Sequence, residues 1–337
     1  MNMKQNQIPV TIITGGLGAG KTSLINTILS ENRHTRFAII ENEFGEIGID
    51  QDLIDESAEP EIVELSDGCI CCTVRNDLVK ALIAIYEKRD TFDSLLIETT
   101  GLAEPGPVAQ VLMADAQLVG KYDLNAVVSL IDAEYIMKYL DQSDVAAQQI
   151  GFADILILNK TDRVDNESLD SISKRLNEMN AQAALIATEH AKIDTQIILS
   201  ADAFSLERAL ELDPSFLEPE GTEQPVDSVM GLMNRMPTYQ DEISSVGLLL
   251  KGDLDEKKVD AWLTFLTAIQ GEDILRMKGI LSIKGLGERL IIQGVHSTLT
   301  GDTAKPWGDA DRESRMLFIG RFLDRVQLED GFRKCLA

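Results

Sequence analysis

An apolar stretch, VTIIT at residues 10–14, runs directly into the sequence GGLGAGKT at residues 15–22. A short buried strand, then G-x-x-x-x-G-K-[ST], then a helix-forming segment is the signature of a phosphate-binding loop. Its glycines let successive backbone N–H groups point inward at phosphate oxygens, and the helix that follows adds the partial positive charge of its first turn. The residues expected to bind the nucleotide here are Gly15, Gly16, Leu17, Gly18, Ala19, Gly20, Lys21, Thr22 and Ser23.

Within this loop two side chains have distinct expected roles. The Lys21 ammonium reaches the β- and γ-phosphates, and the Thr22 hydroxyl binds Mg²⁺. A loop of this kind also needs an acidic residue at the end of a neighbouring strand to organise Mg²⁺ and the γ-phosphate. The sequence LLIETTG at residues 95–101 supplies Glu98 for that purpose. Gly101 then lets its backbone N–H approach the γ-phosphate, so this stretch is the expected second switch.

The base-reading residues are expected at the end of a later strand, ILIL at residues 155–158, which runs into NKTD. The Asp162 carboxylate can accept hydrogen bonds from N1–H and the exocyclic amine of guanine, whereas adenine would leave it unpaired. Asn159 can bond another edge of the base, and the stem of Lys160 can lie over the ring face. Thr188 lies where a second guanine-contacting loop is expected. The pattern therefore predicts GTP rather than ATP.

Short apolar runs recur along the first 200 residues with segments of helical length between them. This alternation predicts an α/β domain, a mostly parallel sheet with helices on both faces. The runs lie at residues 10–14, 37–40, 95–97, 126–131, 155–158 and 184–187. We expect this GTPase domain to span residues 1–212, followed by a proline-bearing acidic linker at residues 213–240.

The remaining sequence, residues 241–337, has a different texture. Its expected strands lie at residues 246–250, 280–283, 290–293 and 316–319, and its expected helices at residues 259–269 and 322–335. Strands follow one another without a helix each time, which predicts a smaller α+β domain with a mostly antiparallel sheet.

Composition excludes several classes of protein. Of 337 residues 44% are hydrophobic and 26% charged, as in a soluble globular protein. The formal net charge of −25, with no basic patch, argues against a nucleic-acid partner. No stretch approaches the length of a membrane helix and no signal peptide is recognisable. A cytoplasmic protein without a membrane partner is therefore expected.

Three of the four cysteines are Cys69, Cys71 and Cys72, in the sequence GCICC. In a reducing compartment such clustering indicates metal or redox chemistry rather than disulfides. Thiolates bind Zn²⁺ above all, with Co²⁺ and Cu⁺ as competitors. No Cys-x-x-Cys pair or histidine nearby completes a four-ligand structural site, and an incomplete shell suits an ion that must be released. Redox chemistry and buried packing remain alternatives.

An acidic segment, ENEFGE at residues 41–46, follows the expected strand at residues 37–40, the place of a first switch. Glu41 and Glu43 are candidates for orienting the attacking water or for contacting Mg²⁺ through a water molecule. Glu46 is a candidate for contributing a further metal ligand to the cysteine site. A solvated acidic loop is the alternative. Because the cysteines lie between the two switches in sequence, their geometry can differ between the GTP and GDP states.

Together these motifs resemble those of one family. GGLGAGKTSLI, ENEFGEIGID, GCICCTVR, ETTGLAEPGP and NKTD, in this order and spacing, are similar to the CobW-like metallochaperone GTPases, and the likeness covers nearly the whole chain. The resemblance implies a GTPase that carries a transition metal, usually zinc and in some members cobalt, to a client metalloprotein. Zinc would be held by Cys69, Cys71 and Cys72. Unlike many relatives, this chain has no histidine-rich tract.

Three functions from different classes follow. The first is a metal-delivering GTPase that hydrolyses GTP slowly and transfers zinc to a client metalloprotein. The second is a GTP-gated regulator whose metal site senses rather than delivers. The third is a P-loop kinase or synthetase with structural cysteines, against which NKTD argues because such enzymes mostly use ATP. A nucleotide- or metal-dependent homo-oligomer is possible in each case.

Overall fold

The computed structural model describes residues 7–41, 61–64, 73–101, 103–199, 243–308 and 311–337. It divides into two compact units, one of Met1–Asn177 with Gln182–Phe204 and one of Glu178–Ala181 with Ser205–Ala337. The predicted linker at residues 213–240 lies outside the described residues, so its boundaries stay a prediction. Within the described ranges no helix is long and apolar enough to cross a membrane.

The first unit contains a seven-stranded sheet in which every neighbouring pair of strands is parallel. The strand order is β3-β2-β4-β1-β5-β6-β7. The strands are β1 (Ile8–Gly15), β2 (Phe37–Glu41), β3 (Glu61–Glu64), β4 (Ser94–Glu98), β5 (Tyr122–Asp132), β6 (Ile155–Asn159) and β7 (Ala184–Ala187). Because the strands are parallel, their carboxyl ends meet at one edge of the sheet.

Helices connect these strands and cover both faces of the sheet. They are α1 (Lys21–Glu31), α2 (Thr73–Glu87), α3 (Pro105–Ala114), α4 (Ile136–Gln142), α5 (Asp144–Phe152), α6 (Asn166–Met179) and α7 (Gln196–Leu199), with single 3₁₀ turns at Arg89–Thr91 and Thr161–Arg163. Every residue of β4 and of β6 is buried, as expected for central parallel strands whose two faces are both covered.

The core on one face of this sheet forms around α1. Its residues Leu24, Ile25 and Ile28 are fully buried against strand residues such as Ile39 and Val128. Burying each such side chain contributes about 1.5–3 kcal/mol. Helices α3 and α5 pack against β1 and β5. The start of α1, directly after the glycine-rich loop, is therefore fixed by apolar packing.

The second unit contains a five-stranded antiparallel sheet of order β11-β10-β9-β12-β8. Its elements are β8 (Ile243–Lys251), α8 (Glu256–Gln270), β9 (Ile274–Leu281), β10 (Glu288–Val295), β11 (Thr298–Pro306), β12 (Glu313–Arg321) and α9 (Arg325–Lys334). Trp262 of α8 packs between Phe318 and Phe332, with ring centroids at 6.0 and 5.6 Å.

The predicted fold class, a parallel-sheet GTPase domain followed by a smaller α+β domain, is confirmed. Two strands were missed from the sequence, β3 and β11. Only two of the four residues of β3 are apolar, and β11 (TLTGDTAKP) is largely polar because it lies at the edge of its sheet. The strand predicted at residues 280–283 instead occupies Ile274–Leu281, where Arg276 and Lys278 interrupt the apolar run but are buried.

Candidate functional site

The glycine-rich loop has the backbone geometry that a phosphate cradle needs. Gly15, Gly18 and Gly20 have φ angles of 132°, 72° and 111°, which side-chain-bearing residues rarely adopt. Gly15 also lies against β5, because a Cβ atom there would come within 2.2 Å of the Leu130 carbonyl oxygen. Gly20 ends the loop as the N-cap of α1. The first turn of that helix therefore directs its backbone N–H groups toward the loop.

Lys21 is the first residue of α1, and its side chain turns back into the loop. It is buried, and its Nζ donates to the carbonyl oxygens of Gly15 at 3.1 Å and Gly16 at 3.2 Å. Thr22 follows half-buried and Ser23 exposed, on the first turn of the same helix. The structure thus places Lys21 and Thr22 next to one another on the helix turn that follows the loop.

The end of β4 lies next to the loop because β4 pairs with β1. Glu98 is buried and is in register with Ile13. Thr99 donates from its backbone N to the Ile13 carbonyl at 2.9 Å and from its hydroxyl to the Thr14 hydroxyl at 2.8 Å. The oxygen donors of Glu98 and Thr22 are of the hard type that Mg²⁺ prefers, so the residues present fit that ion.

Gly101, the predicted second-switch glycine, makes a close approach to the phosphate loop. A Cβ atom there would lie 2.5 Å from the backbone N of Leu17, so only glycine fits. Sequence reasoning missed the residue that holds this segment. The buried Gln149 of α5 donates from Nε2 to the carbonyl oxygens of Gly101 at 3.3 Å and Ala103 at 3.1 Å. Its polarity on an otherwise apolar helix face was the available signal.

Asn159 joins the base-reading loop to the phosphate loop. The residue is 2% exposed, its Nδ2 donates to the Ala19 carbonyl at 2.8 Å, and its Oδ1 accepts from the Ala191 backbone N at 2.9 Å. A Cβ on Gly20 would clash with it at 2.6 Å. Sequence reasoning gave Asn159 only a contact with the base, and that contact stays a prediction. What the structure adds is a bridge between three loops.

The rest of the base-reading loop is arranged by backbone geometry. Lys160 has a left-handed backbone with φ of 63°, and Asp162 is exposed. Thr161 donates from its backbone N and its hydroxyl to the Thr188 carbonyl at 3.3 and 3.1 Å. The Thr188 hydroxyl itself donates to the Lys192 carbonyl at 2.6 Å, which closes the second loop. Thr188 thus holds the loop, and its predicted contact with guanine remains to be tested.

Asp132, at the end of β5, was not predicted from the sequence. It is 5% exposed and pairs through Oδ2 with Lys160 Nζ at 2.6 Å. Its Oδ1 accepts from the Glu134 backbone N at 3.0 Å. Its position was a usable signal, because β5 neighbours β6 in a parallel sheet and the carboxyl ends of both strands lie at the same edge. An acidic residue at the end of β5 is therefore expected near the predicted base-reading loop.

Several predicted site residues lie outside the described part of the chain, namely Glu43, Glu46, Cys69, Cys71 and Cys72. The backbone of Glu41 ends β2 in register with Glu98. Among the described residues no group of three or more histidine, cysteine, aspartate or glutamate side chains is arranged to hold a metal ion. The cysteine segment connects the end of β3 at Glu64 with the start of α2 at Thr73.

Two protein-family models match the sequence of this chain. The family model "CobW/HypB/UreG, nucleotide-binding domain" matches residues 9–187, and "Cobalamin synthesis protein cobW C-terminal domain" matches residues 243–336. The chain belongs to the CobW family. The predicted family resemblance is therefore confirmed. In this CobW-family protein the first match covers the seven-stranded sheet, and the second covers the five-stranded sheet.

Individual relatives of this CobW-family chain resemble it over nearly its full length. The zinc chaperone YjiA of Escherichia coli is 35% identical over 97% of this chain and 98% of its own. The zinc-regulated GTPase metalloprotein activator 1 of Schizosaccharomyces pombe is 32% identical over 95% of this chain and 84% of its own. The crystal structure of Zn(II)-bound YjiA GTPase from E. coli superposes with a TM-score of 0.72 at 30% identity, covering 99% of this chain and 100% of that one.

Proposed function

We propose that this protein is a GTP-dependent zinc chaperone, which hydrolyses GTP to GDP and phosphate and delivers zinc to a client metalloprotein. The observation that carries the proposal is that Lys21, Glu98 and Asn159 all lie at the carboxyl-end edge of the parallel sheet. The segment that carries the cysteines follows β3, another strand of the same sheet. The zinc chaperones and zinc-regulated GTPases among its relatives support the same function.

The described residues suggest how the nucleotide is held. The loop at residues 15–22 cradles the phosphates, and the Lys21 ammonium turns from the Gly15 and Gly16 carbonyls to the β- and γ-phosphates. Thr22 and Glu98 would hold Mg²⁺, which neutralises phosphate charge when bound. The N–H of Gly101 approaches the γ-phosphate. Glu41 and Glu43 are our candidates for orienting the attacking water.

The zinc site is proposed at Cys69, Cys71 and Cys72, with Glu46 as a candidate fourth ligand and Co²⁺ as an alternative cargo. Sheet topology supports its coupling to GTP. Strand β3 ends at the same edge as β2 and β4, so the cysteine segment leaves the sheet on the side where Glu98 lies. A γ-phosphate that moves either switch can therefore alter the geometry of the thiolates.

The experiment that tests this proposal compares zinc affinity with GDP bound and with a non-hydrolysable GTP analogue bound. Allosteric coupling of ordinary strength predicts a difference of about 5–150-fold. Equal affinities would remove the coupled mechanism. To separate delivery from sensing, zinc release to a chromogenic chelator is followed during GTP turnover. A carrier accelerates release as GTP is hydrolysed, whereas a GTP-gated sensor keeps its zinc.

Replacing a proposed ligand should abolish tight zinc binding. Losing a residue that only hydrogen-bonds to a metal ligand already costs about 10–100-fold in metal affinity, so Cys71→Ser should lower zinc affinity at least a hundredfold. Cys335→Ser is the matched control, since Cys335 is buried in the second unit and burial raises the pKa of its thiol. Zinc titrations of both variants decide the matter. Intact zinc affinity in Cys71→Ser would show that the assigned ligands are wrong.

Base selection is tested at Asp162. In Asp162→Asn the side chain presents an N–H donor where guanine needs an acceptor, so GTP affinity should fall by about ten- to a hundredfold. Xanthosine triphosphate, which carries a carbonyl in place of the amine, should bind this variant better than it binds the parent protein. Fluorescence titration of both nucleotides measures the effect. Unchanged GTP affinity in Asp162→Asn would contradict the assignment.

A further inference from the structure

Two cations flank the exposed Asp162, and both are paired with acidic residues of a different segment. Lys160 Nζ lies 2.6 Å from Asp132 Oδ2, and Arg163 lies 3.3 Å from Glu134. Asp132 is the last residue of β5, and Glu134 lies two residues after it. Among the residues described by the structure, none forms a hydrogen bond or ion pair with the Asp162 carboxylate. The two cations nearest to it in sequence are thus held elsewhere.

The two pairs differ in strength. The side chains of Asp132 and Lys160 are 5% and 22% exposed, whereas those of Glu134 and Arg163 are 37% and 53% exposed. A partly buried, short, charge-assisted pair is screened little by solvent, and an exposed pair contributes little. Asp132 is also fixed by its second oxygen, which accepts from the Glu134 backbone N. The Asp132–Lys160 pair therefore dominates.

The backbone reinforces this arrangement. The left-handed conformation of Lys160 turns the chain so that Thr161 bonds to Thr188 while Asp162 faces solvent. The Ala133 N–H donates to the Asn159 carbonyl at 3.0 Å, which holds the two segments side by side. Without Asp132, the nearest fixed acceptor for the Lys160 ammonium would be lost, and the carboxylate two residues on would compete for it.

We infer that Asp132 is a positioning residue for guanine recognition. By holding the Lys160 ammonium it prevents that cation from pairing with Asp162, so the Asp162 carboxylate stays available for N1–H and the exocyclic amine of guanine. The methylene stem of Lys160 remains beside the base. This inference rests on the proposed guanine site and adds the residue that sets its selectivity.

The first test is Asp132→Asn, which keeps the shape of the side chain and removes its charge. The affinities for GTP and GDP should fall equally, by about ten- to a hundredfold, which is the size of one hydrogen bond to a charged group. The kcat should change less than about twofold, because the base is remote from the γ-phosphate. Unchanged affinity, or a loss confined to GTP, would overturn the inference.

The second test is rescue. Removing the released ammonium should relieve the competition, so Asp132→Asn combined with Lys160→Met should bind GTP within about twofold as tightly as Lys160→Met alone, the range of a neutral substitution. Lys160→Met alone is the reference for this comparison, because it removes the cation while Asp132 stays. If Asp132→Asn does not fold, Lys160→Met and the double variant still compare GTP binding with and without the Asp132 charge. A purely structural role for Asp132 predicts no rescue, and a double variant as weak as Asp132→Asn would refute the inference.

Two controls separate this inference from the proposed function. Asp154→Asn removes another buried carboxylate, at the opposite end of β6, and should leave both nucleotide affinities unchanged. Asp162→Asn is measured in parallel. If it leaves GTP affinity unchanged, the guanine site itself is misassigned. If it weakens GTP while Asp132→Asn does not, only the role of Asp132 fails.

Discussion

Replacing Lys21 with methionine is expected to reduce GTP hydrolysis by about 10²–10³-fold, which is the effect of losing one preorganised donor to a developing negative charge. The Lys21 ammonium is buried at the phosphate loop, where few other groups can replace it. Methionine keeps the length and apolar stem of the side chain, so α1 should remain packed. Phosphate release from GTP, measured under single-turnover conditions, gives the rate of the chemical step.

The same variant has a structural cost that must be measured separately. Lys21 Nζ bonds the Gly15 and Gly16 carbonyls, so the free energy of unfolding should fall by about 1–3 kcal/mol. Lys138→Met, on an exposed position of α4, is the matched control and should change neither stability nor turnover. Hydrolysis that stays within a few-fold of the parent protein would show that Lys21 does not contact the γ-phosphate.

The parts of the site that follow from sequence are those where backbone geometry dictates the residue. Gly15, Gly20 and Gly101 are required because a Cβ atom at each would meet neighbouring atoms at 2.2–2.6 Å. Such positions leave a strict pattern in the sequence. Glu98 was predictable for a related reason, since the end of a buried strand beside the loop is a fixed place in a parallel sheet.

The parts that sequence did not reveal are contacts between distant segments. Gln149 holds the Gly101 segment from 48 residues away, and Asp132 holds Lys160 from 28 residues away. A polar residue on a buried helix face or at a strand end has many possible partners, and only the packed structure selects one. The proposed zinc ligands are the reverse case, because their clustering is visible in sequence and they lie outside the described residues.

These contacts join the loops of the site into one network. Asn159 links the glycine-rich loop to the Ala191 loop, Asp132 links the predicted base-reading loop to β5, and Gln149 links the Gly101 segment to α5. A nucleotide that bonds several of these loops at once therefore shifts a connected set of segments. Under the proposed function, GTP would act on the cysteine segment through this connected set of segments.

Gly15→Ala should be the most damaging small substitution in the first unit. The added methyl group would meet backbone atoms of Leu130 at 2.2–2.9 Å, and alanine would be strained at φ of 132°. Strain and overpacking each cost about 1–3 kcal/mol, so the free energy of unfolding should fall by about 3 kcal/mol or more. Because the clash separates β1 from β5 where the phosphate loop begins, nucleotide binding should be lost as well.

Gly120→Ala isolates the backbone contribution to this effect. Gly120 also has a positive φ, 81°, but no heavy atom lies within 4 Å of the position its Cβ would take. The free energy of unfolding of Gly120→Ala should therefore fall by only about 1 kcal/mol, and this variant should bind GTP normally. Urea unfolding and GTP titration of the two variants distinguish the contributions. Equal losses of stability would mean that backbone strain alone explains why position 15 requires glycine. A much larger loss in Gly15→Ala identifies the contact with β5 as the reason that glycine is required at the start of the loop.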